Sequence, residues 1–324
     1  TLPIDTTTGL PAARASSSSR RISSEHSFEA SDYDNCLITT NGLVKCWGRN
    51  SFPTPTAVQP FEKAVALSAG TNHFCALFDD GTVNCWEFGG AGTTNCSGPV
   101  AGFTSAVDIA SEAAAACALL ADGSVWCWSL GGVPQATGII GAVSIGAEGG
   151  SPACAVLSGG TVQCLSDFAG TPLAVIPGVS DAVAVTVGSE HACVLIFDGT
   201  VKCFGRNQYG QLGDGTVNSG YQQAGTVVDV ANAVNVVSGD YYTCAMLSDG
   251  TVKCWGMQIN ADHSITPVPT PSTVPNITNP VAVAAGAFHA CASFDAGNAQ
   301  CWGSNVSQAL VQPAGLNNAL ALRW

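Results

Sequence analysis

The chain has 324 residues and a mass of 32.7 kDa, enough for one large domain or two ordinary ones. Hydrophobic residues make up 46% and charged residues only 10%, which excludes a charge-rich disordered protein and supplies ample core. Ten Lys and Arg against 23 Asp and Glu leave a net charge of −13. That balance repels phosphates, so no nucleic-acid partner is expected, and no apolar run reaches the roughly 18 residues of a membrane helix, so no membrane insertion is expected.

In chain order, residues 1–27 are rich in Thr, Ser and Ala, carry scattered Arg14, Arg20 and Arg21, and lack apolar periodicity. They read as an extended N-terminal arm and a candidate surface for pairing with a neighbouring subunit. No signal-peptide pattern follows Thr1, and a cleaved leader leaves no trace. Asp32-x-Asp34 reads as an acidic turn, because nothing around it matches a calcium loop.

From Cys36 onward the cysteines set the pattern. Fourteen of the fifteen fall into seven couples, each ten positions apart: Cys36 with Cys46, Cys75 with Cys85, Cys117 with Cys127, Cys154 with Cys164, Cys193 with Cys203, Cys244 with Cys254, and Cys291 with Cys301. A glycine stands six residues after each first cysteine, preceded by Asn41, Asp80, Asp122, Asp198 or Asp249 in five of them. If Cys75 faces Cys85, then Leu77 faces Val83 and Phe78 faces Thr82, leaving a loop Asp79-Asp80-Gly81. Such a loop wants a left-handed third residue, which glycine adopts without steric cost. The spacing predicts seven β-hairpins. Directly opposed residues lie about 4.5–5.5 Å apart at Cα, within disulfide reach, so one bridge per hairpin is expected. Each closes a short loop, worth roughly 2–3 kcal/mol in the chain-entropy model. Seven bridges imply an oxidising compartment, hence a secreted or cell-surface protein. Zinc is disfavoured by the nine-residue gaps.

The second cysteines recur at intervals of 39, 42, 37, 39, 51 and 47 residues, a period of propeller blades or solenoid turns. Each unit opens with an alternating Ala/Val run, as from Ala64 to Gly70, continues into the hairpin, and ends in a Pro/Thr-rich connection able to hold a short fourth strand, as at Thr56-Ala-Val58. The expected fold is all-β, a seven-bladed β-propeller over residues 28–324 with one disulfide within each blade. The tail Leu316–Trp324 is expected to supply the first blade's opening strand and so close the ring. Trp47, Trp86, Trp128, Leu165, Phe204, Trp255 and Trp302 each follow a second cysteine, which suits packing between blades.

Gly205-Arg-Asn-Gln-Tyr-Gly-Gln-Leu-Gly213, together with His73, His191 and His289 ahead of their hairpins, resembles the regulator-of-chromosome-condensation repeat. The resemblance spans all seven units and implies a seven-bladed propeller. The founding member of that family acts on a nuclear GTPase and on chromatin; other members include a secreted inhibitor of β-lactamases. Only the fifth unit keeps the full glycine-rich run, and the paired cysteines are foreign to the nuclear branch, so the cysteine-bearing extracellular branch is the better match and exchange activity is not carried over.

No catalytic residue, metal site or cofactor is expected. The three histidines read as hydrogen-bonding residues at strand starts, and Gly213-Asp-Gly-Thr216 lacks the Lys of a phosphate cradle. Cys96 is left over and reads either as a bridge to another subunit or as a free buried thiol. Asn95, Asn276 and Asn305 stand in glycosylation sequons. The long connections after Cys203 and Cys254, the latter reading as a stiff loop from Met257 to Pro280, should emerge from the same rim. The expectation is therefore a non-enzymatic extracellular structural or binding module, such as one subunit of a surface or filamentous assembly, that meets a protein partner or itself through the arm and these loops. The alternative is a secreted protein-inhibitor or lectin-like propeller.

Overall fold

The structure, a computed structural model, describes residues 28–30, 34–39, 42–48, 56–58, 62–71, 73–89, 93–112, 114–147, 153–165, 172–260, 264–294 and 299–303. Within them every regular element is a strand, and the strands form seven antiparallel sheets in up-and-down order. The first sheet runs Phe28–Ala30, Asp34–Ile38, Val44–Gly48, Thr56–Ala57; the second runs Ala64–Ala69, His73–Phe78, Val83–Gly89, Thr93–Pro99. First strands of successive sheets lie side by side, and Ala282–Ala285 of the seventh lies beside Phe28–Ala30 of the first. The architecture is a β-propeller with seven blades.

The hairpin register is the one the cysteine spacing predicts. In every blade the two cysteines are direct partners and are joined, at Cα separations of 3.9–4.1 Å. That is closer than the 4.5–5.5 Å expected of unlinked partners. In the second blade the Phe78 N–H donates to Thr82 O at 2.9 Å, and Gly81, at φ +79°, donates back to Phe78 O at 3.0 Å. The preceding aspartate adds a bond that the glycine pattern alone does not reveal. Asp80 accepts from both the N–H (3.0 Å) and the hydroxyl (2.6 Å) of Thr82, and Asp122, Asp198 and Asp249 do the same with Ser124, Thr200 and Thr251. These hydroxyl and amide donors hold all four carboxyls below the usual range.

Packing between blades follows from strand alternation. A cysteine and the residue after it point to opposite faces. Each disulfide therefore faces the next blade, while the following aromatic faces the previous disulfide. Cys36 and Cys46 share a core with Trp86, Cys75 and Cys85 with Trp128, and Cys193 and Cys203 with Trp255. Leu165 and Phe204 take the same place against the third and fourth disulfides. Trp302 meets the sixth, and Trp47 of the first blade meets Cys291 and Cys301 of the seventh. The aromatic stripe is blade packing.

Two expectations need correction. The opening strand of the first blade is Phe28–Ala30 itself, paired with Cys36 and its neighbours, so the place assigned to the tail Leu316–Trp324 is filled. The tail, like the arm 1–27, lies outside the described residues. The segment after Met257 is a strand and not a loop: Thr251–Ile259 turns back into Ile265–Thr278 at the outer edge of the sixth blade. Pro267, Pro269, Pro271 and Pro275 fit there because an outermost strand can spare ladder donors, and their missing N–H groups blunt the edge.

The inner seam is tight. A Cβ on Gly188 would strike the Gly239 carbonyl and the His191 ring; one on Gly239 would strike the Gly286 carbonyl and the Tyr242 ring. Side chains at the start of each second strand then reach into the next blade. His191 Nε2 meets Thr243 Oγ1 at 2.8 Å, His289 Nε2 meets Asn35 Oδ1 at 3.3 Å, and the Tyr242 hydroxyl donates to Gly286 O and His289 O at 2.9 and 2.5 Å. His73 lies against the Ala115 backbone of the third blade. Burial pushes the three imidazoles down to about 4 (His73), 3 (His191) and 4 (His289), so all are neutral.

Gly239→Ala should destabilise the propeller by about 1–3 kcal/mol through overpacking. Gly225→Ala, with open space around its Cβ, should be near neutral. Denaturant titration of both checks this, and equal effects would contradict it. For pH, the unfolded chain takes up a proton at each of the three histidines below about 6.5, whereas the folded chain refuses it until about 3–4. Stability from these groups is therefore full above about pH 6.5 and declines on the way to pH 4. Asp108, whose carboxyl is enclosed by the inner strands of the third and fourth blades and pushed up to about 7 by burial, works in the opposite sense. Asp240, also raised by burial, acts in the same sense, and the two carboxyls offset only part of three imidazoles. The melting temperature should fall from pH 7 to pH 4.5, with a flatter slope in His191→Gln; a flat or rising wild-type profile would refute the assignment.

Candidate functional site

In each blade the first strand begins beside the hairpin turn, as Ala64 does opposite Phe78. One rim of the ring therefore carries the cysteine-hairpin turns. The opposite rim carries the loops joining first to second and third to fourth strands. The fifth and sixth blades build an unusual corner on this second rim.

The fifth blade's third strand, Val201–Asn207, continues into the glycine-rich loop and returns as Asn218–Thr226. Asn207 organises that loop. Its Nδ2 donates to Asp214 Oδ1 at 3.0 Å and to Thr216 O at 3.1 Å, and its Oδ1 accepts the Leu212 N–H at 3.1 Å. Asp214 itself caps Thr216 as the hairpin aspartates cap their neighbours, so Gly213–Thr216 is a carboxylate-capped turn and not an anion cradle. Gln211 accepts the Tyr209 N–H at 2.8 Å and its carbonyl takes the Trp255 indole N–H at 2.9 Å, fastening the loop to the sixth blade. The Gly215 N–H donates to Pro269 O at 3.0 Å, so the two long connections meet on the same rim, as expected.

On this platform sits a polar aromatic cluster. Arg206, the single arginine among the described residues, pairs with Glu190 at 3.2 Å and lies 5.3 Å from the centroid of the Tyr221 ring. Tyr221 is 71% exposed. Gln208 Nε2 donates to Glu190 Oε2 at 3.4 Å, and Tyr209 packs edge-on to Tyr241 with centroids 5.4 Å apart. Ser189 and Asp240 join the loops of the two blades, side chain to side chain at 2.7 Å and N–H to carbonyl at 3.0 Å. Burial raises the Asp240 carboxyl, opposed by the Ser189 bond. Burial also raises the Tyr241 phenol, helped by the nearby Asp240 and Glu190 charges and by Tyr209, and opposed by Arg206. The corner is thus a row of tyrosine faces and hydroxyls between carboxylates, with its one cation already paired. It suits recognition by contact and hydrogen bonding more than proton transfer.

Sequence reasoning found the two loops but not this cluster. Four of the five tyrosines fall between residues 209 and 242, which was the available signal. The remaining candidates stay apart. His73, His191 and His289 occupy separate blade interfaces. Asp34 is buried in its strand and Asp32 lies outside the described residues. Among the described residues no group of three or more His, Cys, Asp or Glu converges as a metal site, and no helix is long and apolar enough to cross a membrane. Cys96 and Asn95 stand in the outer strand Thr93–Pro99, their backbones paired with Trp86 and Glu87. Asn276 is exposed at φ +64°, and Asn305 lies outside the described residues.

Comparison with known proteins agrees with this construction. The regulator of chromosome condensation (RCC1) repeat matches residues 64–86, 182–211, 233–261 and 281–308. A regulator of chromosome condensation from Drosophila melanogaster is 33% identical over 85 residues, which covers 26% of this chain and only 16% of that protein's length. Among solved structures, human WBSCR16 superposes with a TM-score of 0.67 at 15% identity, over 80% of this chain and 84% of that one. The ectodomain of the Physcomitrella patens receptor kinase CR4 superposes with a TM-score of 0.59 at 19% identity, over 86% of this chain and 73% of that one. At such identities the likeness concerns the fold. The chain is a propeller whose seven blades each carry one disulfide, with four segments that match the RCC1 repeat.

Proposed function

We propose that the protein is a non-enzymatic extracellular binding module, an oxidised propeller over residues 28–324 carrying an arm at 1–27, and that it meets a protein partner through the tyrosine corner of its fifth and sixth blades. The observation that carries the reading is the corner itself. Tyr209, Tyr221 and Tyr241 supply large rigid contact area at low entropic cost, and Asn218, Ser219, Gly220 and Gln222 beside them supply adaptable hydrogen bonding. Tyr and Arg at the centre of a patch are the residue types that carry interface energy.

The seven bridges support an oxidising compartment, and the receptor ectodomain of the same fold agrees with that placement. Alkylation of native material without reductant should label no cysteine other than Cys96. Labelling of the fourteen paired positions would remove the extracellular reading.

Binding is tested with the full chain and its Tyr209→Ala, Tyr221→Ala and Tyr241→Ala variants, immobilised against the extracellular fraction of the source cells. Each substitution should weaken capture of the partner by about tenfold or more at an unchanged melting temperature. Undiminished capture by the triple variant would place recognition elsewhere.

A further inference from the structure

We propose that the occupant of the tyrosine corner is the N-terminal arm, residues 1–27, of a second copy of this chain, so that propellers join head to tail. The proposal deepens the reading above and rests on it.

The first argument is topological. Phe28 pairs with Leu37, so the chain enters the first blade at the rim of cysteine-hairpin turns. The tyrosine corner is on the opposite rim, between the fifth and sixth blades. An arm docking on its own corner would have to cross the depth of the ring and travel around it. When one propeller stands on another in the same sense, the arm of the first leaves from the rim that faces the corner of the second. An extended arm of 27 residues spans up to roughly 90 Å, ample for that gap.

The second argument is charge. The arm carries Arg14, Arg20 and Arg21 against Asp5 and Glu25, a net +1, and residues 28–324 carry the remaining −14. Between Lys63 and Lys202 the chain has no Lys or Arg at all. Two acidic rings repel one another on approach. A basic segment at one end of the chain is the part of this sequence best able to bridge them. At the corner Arg206 is already paired with Glu190, while the Asp240 and Asp214 carboxyls accept from neutral donors, Ser189 in the first case and Asn207 and Thr216 in the second.

The third argument is chemical. Leu2-Pro3 and Leu10-Pro11, with Arg14 three residues on, give the arm prolines and a guanidinium in close succession. Proline-containing segments favour an extended conformation and lose little backbone entropy on docking. Tyrosine faces accept proline rings, tyrosine hydroxyls donate to the exposed carbonyls of such a segment, and a neighbouring carboxylate selects arginine. Because the contacting patches differ, each copy leaves one corner and one arm unused, and the association propagates as an open chain.

The test uses the full chain with photo-crosslinkable p-benzoylphenylalanine replacing Tyr221, as an equal mixture of unlabelled and nitrogen-15-labelled protein. Illumination should join position 221 to residues 1–27, with crosslinked pairs that combine a labelled and an unlabelled chain. Arg14→Glu, Arg20→Glu and Arg21→Glu together should cut the crosslink yield by about tenfold or more and lower the mass seen by light scattering to that of the monomer, without moving the melting temperature. Crosslinks confined to chains of one isotope would overturn the proposal in favour of self-docking. Crosslinks that avoid residues 1–27, or that survive the charge reversal, would overturn it outright. If the arm fails in this way while a foreign partner is still lost in the tyrosine variants, the corner remains a binding site and only its occupant is wrong.

Discussion

A disulfide pressed against the aromatic residue of the next blade is the contact on which this propeller depends. Strand alternation makes it economical to encode: in a pleated strand, a cysteine and its successor face opposite ways, so the dipeptide Cys-Trp supplies one half of two neighbouring interfaces. Repeating it makes Trp86 meet the first disulfide, Trp128 the second and Trp255 the fifth. Where the aromatic is missing, Leu165 fills the same position. The partners around these contacts are small, such as Ala76, Ala116, Ala118 and Ala245, all of them buried, which lets the sheets approach closely. Both faces of each blade are thereby largely buried, which leaves little room for charge beyond exceptions such as Asp34 and Asp108. Such packing fits a charged fraction of only 10%.

Several of the polar groups left inside tie one blade to the next. His191, Tyr242 and His289 share a structural position and each spends its polar atom on the following blade. A neutral imidazole is needed there, since a charged one would have to be desolvated between two sheets without a counter-ion. The glycines just before them serve the same seam by a different means. At Gly188 and Gly239 it is the neighbouring backbone, not an unusual φ, that excludes a side chain. Hydrogen bond and steric fit thus act together at the inner strands, while the disulfide and aromatic act further out.

Much of this was legible in the sequence because it is local and repeated. A ten-residue spacing with a central glycine dictates a hairpin register by itself, and Cys75 opposite Cys85 with Leu77 opposite Val83 is what the structure contains. What escaped was either capped by side chains or assembled from distant segments. The hairpin aspartates looked like turn residues, but their bonds to Thr82, Ser124, Thr200 and Thr251 required the residue beyond the glycine to be read as a partner. The prolines after Met257 suggested a loop because proline disrupts central strands, a rule that relaxes at an edge. The first blade's opening strand reads only as a poor one, at Ser24 to Glu29, because Phe28–Ala30 is too short to show alternation. Tyr221 and Tyr241 come from different blades, and only the return of Asn218–Thr226 beside Arg206 brings their surroundings together.

The repeat signature and the rim cluster therefore carry different information. Within Gly205–Gly213 the side chains of Asn207 and Gln211 turn inward to hold the loop, Leu212 enters the core shared with Trp255, and the Gln211 carbonyl binds that tryptophan's indole. Each of these residues is spent on the fold. They say nothing about what the protein binds. Arg206 and Tyr209 belong to the same segment but point to the rim, where their partners Glu190, Tyr221 and Tyr241 lie outside it. A motif match reports the inward set; the outward set has to be read from the individual chain. Here that set is aromatic and acidic, and it stands on the rim opposite to the one at which the first blade's opening strand begins. The residues that match the repeat thus leave this rim to the few that the scaffold does not use.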